Sequence, residues 1–328
     1  MTNLLLYATT VLIWGSTWFA IEFQLGTVPV EASLVYRYVL ASAVLFVWCV
    51  LRQRSLRFDR GAHVRFMLLG ISLFGLNYLL AYNAQFHISS ALNAIAFSSM
   101  LWMNLINARL LLGTRIDRRT LAGAVLGIFG IVVLFWPDIS ESGLTNATAT
   151  GAGLALGGAF VASLGNVLSQ RTQSEGLPVL QSNAWGMFYG ALFTGIYALT
   201  RNVSFVFDPA PAYVLSLAYL SVFGSVIAFG AYLTLLGRIG AQRAGYAVVM
   251  FPIVALILST LFEGLEIRQH VLLGTGLALT GNALVLTGRR QETKEQRSVT
   301  PASHRQRNAS TIGNKSLANT ARRESAAG

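Results

Sequence analysis

GAVLGIFGIVVL, the stretch from Gly123 to Leu134, sets three glycines in an apolar run, and GTGLALTGNALVL, from Gly274 to Leu286, repeats its outline 151 residues later. A dinucleotide-binding loop would need a strand before it and a helix start open to water. This run instead lies inside an apolar segment. The glycines therefore predict close helix packing in a membrane, with Gly123 and Gly127 forming a small-xxx-small ridge.

The composition places the chain in a membrane. Of its 328 residues 54% are apolar and 11% are charged, and the mean hydropathy is +0.57; an average soluble domain is about one quarter charged. No Asp, Glu, Lys or Arg lies between Arg65 and Arg109, a gap long enough for at least two membrane-spanning helices. The single cysteine, Cys49, excludes an internal disulfide and a CxxC redox or metal site.

Ten apolar segments are long enough to span a bilayer as helices. They cover residues 4–22, 33–51, 65–86, 89–112, 119–136, 151–170, 181–200, 212–236, 243–262 and 268–288. With a cytoplasmic N-terminus, the inside loops hold eleven basic residues and the outside loops hold two, Arg201 and Arg268. Because basic residues favour the cytoplasmic side, we expect a multi-pass inner-membrane protein with both termini in the cytoplasm.

A second repeated motif indicates duplication of the whole segment. SLFG at Ser72 to Gly75 matches SVFG at Ser221 to Gly224 at an offset of 149. Each half holds five spans, and an odd number makes the second copy enter the membrane in the opposite direction. The expected fold is an all-α membrane protein of ten transmembrane helices, arranged as two inverted five-helix repeats over residues 1–138 and 139–288.

Residues 289–328 are predicted to form a disordered, basic, cytoplasmic tail. They contain nine of the 24 Lys and Arg residues and few large apolar side chains. No aromatic residue in this segment could stack on bases. We therefore expect the tail to contact anionic lipid headgroups and not nucleic acid.

Several longer stretches are typical of one family. They are IWGSTWFAI (Ile13 to Ile21), VPVEASLVYRYVLAS (Val28 to Ser42), LLLGTRIDRRTLAGAVLGIFGIVVLF (Leu110 to Phe135), MFPIVALILSTLFEGLEI (Met250 to Ile267) and LLGTGLALTGNALVL (Leu272 to Leu286). In these stretches the chain resembles the EamA-type, ten-helix branch of the drug/metabolite transporter superfamily, over about residues 4 to 288. The resemblance implies a carrier of small metabolites, amino acids or cationic drugs, often directed outward, without identifying the substrate.

Polar and aromatic side chains within the apolar spans predict a substrate path, because polar groups in a membrane usually face protein or water. On the fourth span Asn93, Met100, Asn104 and Asn107 fall on one helical stripe, about 21 Å long at a rise of about 1.5 Å per residue. Residues of the first, third, sixth, eighth and ninth spans complete the set. The predicted substrate-binding residues are Trp14, Asn77, Tyr78, Tyr82, Asn93, Met100, Asn104, Asn166, Tyr232 and Tyr246.

Each of these residues also has a structural interpretation. Asparagines in membrane helices form interhelical hydrogen bonds as well as binding sites. Pro252 is predicted to be either a packed kink or a hinge for opening and closing. Arg37 most simply extends to the lipid headgroups, and a salt bridge to Glu22 or to a substrate carboxylate is the alternative. Glu263 is interpreted as an ordinary loop carboxylate, with the attraction of cationic substrates as the alternative.

The leading hypothesis is a carrier that exports small metabolites, such as amino acids or amphipathic amines, by alternating access around a central site. An enzyme is disfavoured because the sequence has neither HExxH nor GxSxG, and its four histidines fall in predicted loops or the tail. We expect no metal and no cofactor. A non-transporting scaffold or accessory subunit is the alternative, and a homodimer is left open.

Overall fold

The computed structural model describes residues 2–112, 118–142, 147–232, 234–235 and 246–299. For residues 105, 108, 112, 137–142, 246 and 286–299 it describes the backbone alone. Within these ranges the chain forms helices joined by turns and loops, without a strand. Seven of the described helices are long and apolar enough to cross a membrane. The predicted all-helical architecture is confirmed.

The helices are numbered α1 to α10 in chain order. They are α1 Asn3–Glu22, α2 Val30–Leu51, α3 Arg60–Gln85, α4 in two pieces Ser90–Ser98 and Met100–Leu112, α5 Arg118–Ser142, α6 Ala147–Ser174, α7 Val179–Thr200, α8 Pro211–Tyr232, α9 Tyr246–Phe262 and α10 Gln269–Val299. α10 continues past Gly288, where the predicted tail begins. Residues 300–328 lie outside the described residues, so the prediction of a disordered tail stays a prediction.

Local sequence sets where several helices begin. The hydroxyl of Thr2 accepts a hydrogen bond from the backbone N–H of Leu5 at 3.3 Å, and the carboxylate of Asp59 accepts one from Ala62 at 2.8 Å. Each cap satisfies an N–H group that has no partner within the helix. Pro211 begins α8, where its missing N–H costs no helical hydrogen bond.

The helices pack in matched pairs. α5 packs along α10, and α2 packs along α7. α1 packs on α8 and α9, and α6 packs on α3 and α4. When each helix is replaced by the one five positions away in chain order, these pairs are reproduced: α1 with α9 becomes α6 with α4, and α1 with α8 becomes α6 with α3.

The outward faces of the bundle carry large apolar side chains. Val50, Leu121, Ile196, Leu215 and Leu273 are each more than half exposed. A soluble protein rarely leaves so many large apolar groups in contact with water. Helices that satisfy their own backbone and present such faces match the requirements of a lipid environment.

α5 and α10 meet along a glycine seam, which consists of Gly123, Gly130, Gly274 and Gly281. A Cβ atom on Gly123 would lie 2.7 Å from the carbonyl oxygen of Gly281, and one on Gly274 would lie 2.8 Å from that of Gly130. Both obstacles are backbone atoms, which cannot rotate away. The predicted close helix packing at the glycines is confirmed, and the structure shows that the two motifs pack against each other.

Gly127 has a different place from the one predicted in the ridge. Its Cβ position faces Trp102 of α4, 3.3 Å from Cδ1, and not α10. Only the backbone of Gly127 contacts α10: a Cβ on Gly281 would lie 2.7 Å from the Gly127 Cα. The small positions facing α10 are therefore Gly123 and Gly130, seven residues apart, which returns to the same helix face after two turns.

The duplicated SLFG and SVFG motifs both lie in π-helical turns. Ile71–Leu76 interrupts α3, and Tyr219–Ile227 interrupts α8. In the second segment the hydroxyl of Ser225 donates to the carbonyl oxygen of Leu220, five residues earlier, at 3.0 Å. π-turns inside α-helices are frequent at functional sites. α2 packs against the π-turn of α8, as α7 packs against that of α3.

Candidate functional site

Arg37 of α2 is 1% exposed and lies between α3 and α8. Its Nε donates to the hydroxyl of Ser225 at 3.2 Å, and its Nη1 donates to the hydroxyl of Tyr82 at 3.1 Å. The guanidinium carbon lies 4.7 Å from the ring centre of Tyr78 and 5.2 Å from that of Tyr38. These five residues are called the arginine cluster below.

The prediction that Arg37 extends to the headgroups is wrong. The residue lies seven positions into α2, about 10 Å from the start of the helix at a rise of about 1.5 Å per residue. Aromatic rings and hydroxyls of α3 and α8 surround its head group there, so the side chain stays inside. Glu22, one predicted alternative partner, instead accepts a hydrogen bond from Gln85 at 2.7 Å.

The arginine cluster contains a positive charge that its neighbours do not balance. Among the described residues no carboxylate forms an ion pair with Arg37. A guanidinium has five N–H donors, and two are engaged here by neutral hydroxyls. Each cation–π contact contributes about 0.5 to 2 kcal/mol, whereas burial of an ion costs several kcal/mol. The cluster therefore has the electrostatics of an anion site.

Aromatic rings connect the arginine cluster to α1 and the end of α8. Tyr38 packs on Phe74 with 5.5 Å between ring centres, and Phe74 packs on Phe229 at 5.6 Å. Trp14 of α1 contacts Phe229 at 5.2 Å and Tyr232 at 5.0 Å. Two predicted site residues, Trp14 and Tyr232, thus share one aromatic row with the side chains beside Arg37.

A second polar cluster joins α4 and α6 and is called the amide cluster, Met100, Asn104, Asn107, Ser163 and Asn166. The amide nitrogen of Asn166 donates to the sulfur of Met100 at 3.2 Å and to Oδ1 of Asn104 at 3.4 Å. Asn107 donates to the hydroxyl of Ser163 at 2.8 Å. The half-buried members, Met100, Asn104 and Asn166, are all predicted site residues.

Asn93 belongs to neither cluster. It is fully buried and donates from Nδ2 to the carbonyl oxygen of Ala81 at 2.8 Å and to Gln85 at 3.5 Å. Beside it, the Glu263 carboxylate accepts hydrogen bonds from the backbone N–H and the hydroxyl of Ser90 at the start of α4. This end of the bundle is therefore held by interhelical hydrogen bonds, and Glu263 caps a helix instead of remaining a free loop carboxylate.

Two of the remaining predicted residues, Asn77 and Pro252, form no hydrogen bond with either cluster among the described residues. Asn77 is buried on α3, and its Oδ1 has no hydrogen-bond partner among the described residues. Pro252, the predicted hinge, is buried inside α9, which continues on both sides of it. Gly15 of α1 lies close to this helix, since a Cβ there would be 2.9 Å from the Phe251 carbonyl oxygen. Tyr246 begins α9, and its side chain lies outside the described residues.

The predicted site residues do not include Arg37, Ser225 or Phe229, although a substrate carboxylate was the alternative partner predicted for Arg37. Arg37 stood near a helix end, where an arginine ordinarily reaches water. The duplicated motif could have identified Ser225, because this residue directly follows SVFG and lies in the same π-turn. Phe229 lies four residues later on the same helix and carries no chemical signature of its own.

Residues 1–136 and 149–287 each match the EamA-like transporter family. The chain belongs to that family. It is therefore a membrane transporter, and its named relatives are likewise transporters and not enzymes. The resemblance found in the five quoted stretches is confirmed.

Several relatives match over most of their length. The uncharacterized transporter YoaV of Bacillus subtilis is 23% identical over 83% of this chain and 92% of its own. The uncharacterized inner membrane transporter YedA of Escherichia coli is 25% identical over 85% and 88%, and a probable amino-acid metabolite efflux pump of that organism is 23% identical over 81% and 90%. One crystal structure matches with a TM-score of 0.64 and 21% identity over 88% of this chain and 98% of that chain, which shows a shared fold.

Proposed function

We propose that this chain is a secondary transporter that exports small organic metabolites, such as amino acids or amphipathic amines, by alternating access. Ten helices cross the inner membrane as two inverted halves, residues 1–138 and 139–288, which rock around a polar site between them. Both termini face the cytoplasm.

The matched helix pairs carry this proposal. When each helix is exchanged with the one five positions away in chain order, the contacts α5–α10 and α2–α7 are each converted into themselves. The contact α1–α9 is converted into α6–α4, and α1–α8 into α6–α3; all four of these contacts are present. Two copies of one five-helix unit, related by a two-fold axis, give this pattern. An odd number of spans in each copy makes the copies antiparallel in the membrane, as in transporters with inverted repeats.

Both polar clusters join the two halves. The arginine cluster combines α2 and α3 of the first half with α8 of the second, and the amide cluster combines α4 with α6. A site shared between halves changes its exposure when one half moves against the other. Polar contacts at such a boundary are therefore where a carried substrate would bind.

The names of two relatives support the direction and location. One is a probable amino-acid metabolite efflux pump, and another is an uncharacterized inner membrane transporter. The concentration of basic residues in alternate loops supports cytoplasmic termini. Together they favour export of amino-acid-like compounds from the cytoplasm.

Topology can be tested with single cysteines. Starting from Cys49→Ser, the exposed loop residues Ser55 and Ser204 are each replaced by cysteine and labelled in intact cells with a membrane-impermeant maleimide. We expect labelling of Ser204→Cys from outside and of Ser55→Cys only after the cells are opened. Labelling of both from the same side would contradict the inverted arrangement.

Transport itself is tested in proteoliposomes containing the full-length protein. We expect counterflow of a radiolabelled substrate from a panel of amino acids and amines, and none in protein-free vesicles. The non-transporting scaffold is favoured by one observation, that Asn93 and Asn107 are buried in hydrogen bonds to neighbouring helices. Correctly folded protein without flux for any member of the panel would support the scaffold.

A further inference from the structure

We propose that Arg37 is the carboxylate-binding residue of this transporter, so that its substrates are small organic acids or zwitterions and not simple amines. The inference rests on the proposed transport function and narrows its substrate class. It starts from a buried, unbalanced charge at the boundary between the two halves.

The arginine cluster lacks a negative charge among the described residues. A buried arginine is normally paired, since its guanidinium remains ionised and its burial is costly. Here the described partners are two neutral hydroxyls and two tyrosine rings. An anionic ligand would supply the missing charge, whereas an amine without an acid group would be repelled by it.

One nitrogen of the Arg37 guanidinium remains to donate to a carboxylate. Nε and Nη1 are engaged, and among the described residues Nη2 has no hydrogen-bond partner. The α8 residue beside Nη2 is Gly224, whose missing Cβ would lie 3.6 Å from that nitrogen. Adjacent guanidinium N–H groups bind the two oxygens of a carboxylate in parallel, which is a strong and directional contact.

The surroundings also fit the rest of such a ligand. From Tyr38 the aromatic row runs through Phe74 and Phe229 to Trp14. Tyr38 and Phe74 are fully buried, whereas Phe229 and Trp14 are half-buried. Half-exposed aromatic rings pack against the apolar or aromatic part of a small ligand. The combination predicts a molecule with a carboxylate at one end and an apolar group within a few ångströms of it.

α7, which takes the place of α2 in the other half, contains no Lys or Arg among its described residues Val179–Thr200. Gly75 of the α3 π-turn is the counterpart of Gly224, and a Cβ there would lie 2.8 Å from Cδ1 of Phe193 on α7. The duplicated framework thus places an apolar ring beside one π-turn and a guanidinium beside the other. Because α7 packs against the π-turn of α3 without a charged residue, packing alone does not require Arg37 beside the π-turn of α8. The charge of Arg37 therefore points to ligand recognition.

The test compares matched ligands and matched arginines. Purified full-length protein in lipid nanodiscs is titrated with a panel of α-amino acids, their decarboxylated amines and their deaminated acids; one such set is phenylalanine, 2-phenylethylamine and 3-phenylpropanoate. Sodium chloride at equal concentration serves as the inorganic anion. Binding is read by thermal stabilisation and calorimetry, and flux of the same compounds is measured separately in proteoliposomes.

We expect acids or amino acids to bind and their amines not to bind. Arg37→Gln should weaken carboxylate binding about 10- to 100-fold, and Arg37→Lys, which keeps the charge without the planar fork, by less. Arg52→Gln is the matched control, because Arg52 lies exposed directly after the same helix, with its guanidinium 4.7 Å from the Trp48 ring centre. It should leave binding unchanged.

The results separate this inference from the proposed function. Carboxylate binding that is lost in Arg37→Gln supports the inference even if no flux is found, and the absence of flux then contradicts transport alone. Unchanged carboxylate binding by a folded Arg37→Gln or Arg37→Lys variant would overturn the inference. So would preference for the amines, equal stabilisation by chloride, or no binding of any carboxylate by the wild type.

Discussion

The glycine seam and the arginine cluster both join residues 1–136 to residues 149–287, the two segments that match the family, but they differ in what fills the contact. In the seam the backbones of α5 and α10 approach so closely that no side chain fits. In the arginine cluster tyrosine side chains of α2 and α3 and a serine of α8 surround a charge. One contact is complete by itself, and the other lacks a counter-charge among the described residues.

The difference separates structural from functional contacts in a membrane protein. Lipid is as apolar as the protein interior, so helices associate through close packing and hydrogen bonds and gain little from apolar burial. The seam provides such packing. A buried cation provides none, and it persists only where something compensates it during function. Substitutions in the two regions should therefore have opposite effects on stability.

The largest effect is expected in the seam. In Gly281→Ala the new Cβ would lie 2.6 Å from the Gly123 carbonyl oxygen and 2.7 Å from the Gly127 Cα. We expect a loss of about 2 to 3 kcal/mol, because neither backbone can move away without opening the seam. Unfolding in detergent, followed by tryptophan fluorescence, measures it.

The control for the seam is on the same helix. Gly276 is exposed, and nothing lies within 4 Å of its Cβ position. Gly276→Ala should be neutral or stabilise the protein by up to about 1 kcal/mol through helix propensity. Equal destabilisation by both alanines would mean that the seam is not closely packed.

Arg37→Met should have the opposite sign. It removes the uncompensated charge and keeps much of the side-chain volume, so we expect the free energy of unfolding to rise by about 1 to 2 kcal/mol while ligand binding is lost. The same unfolding measurement applies. A large loss of stability would identify Arg37 as a structural residue, and substitutions at Arg37 and in the glycine seam would then have the same effect on stability.

Asn107→Ala tests whether the amide cluster resembles the seam. Its amide donates to Ser163 across the two halves at 2.8 Å, and we expect a loss of about 1 to 2 kcal/mol from the broken buried hydrogen bond. Asn83→Ala is the control, since Asn83 donates to Leu79 within its own helix. If Asn107→Ala and Asn83→Ala lower the free energy of unfolding equally, the hydrogen bond from Asn107 to Ser163 is not the cause of the loss.

The smallest effect is expected for Tyr82→Phe. The change removes the hydroxyl that accepts from Arg37 Nη1 and keeps the ring. We expect stability to change by about 1 kcal/mol or less and carboxylate affinity to fall about fivefold, because the guanidinium loses one orienting contact. Tyr36→Phe, which removes a hydroxyl bonded to the Val206 carbonyl oxygen, should leave affinity unchanged in the same titration.

Prediction from sequence succeeded where the signal is local and periodic. The apolar runs predicted helices, and the repeated glycine motif predicted a close contact that the structure contains. The prediction was imprecise at Gly127, because a spacing of four and a spacing of seven both keep glycines near one face. Which of them touches α10 depends on how the two helices cross.

For the candidate site, sequence reasoning selected residue types and could not select contacts. Tyr78, Tyr82, Trp14 and Asn166 all lie in or beside the clusters, since polar and aromatic groups in apolar helices are uncommon. Arg37 was misplaced because a position near a helix end usually allows an arginine to reach water. Here the neighbouring helices close over it.

The sequence by itself determined the apolar helices, the repeated motifs and the glycines that permit α5 and α10 to meet, because hydrophobicity, period and side-chain size are properties of a segment. The tertiary structure alone decided that Arg37 is buried. Its hydrogen-bond partners, Tyr82 and Ser225, lie 45 and 188 positions away in the chain. A charge is costly or useful according to its neighbours, and those neighbours exist only once the helices have packed.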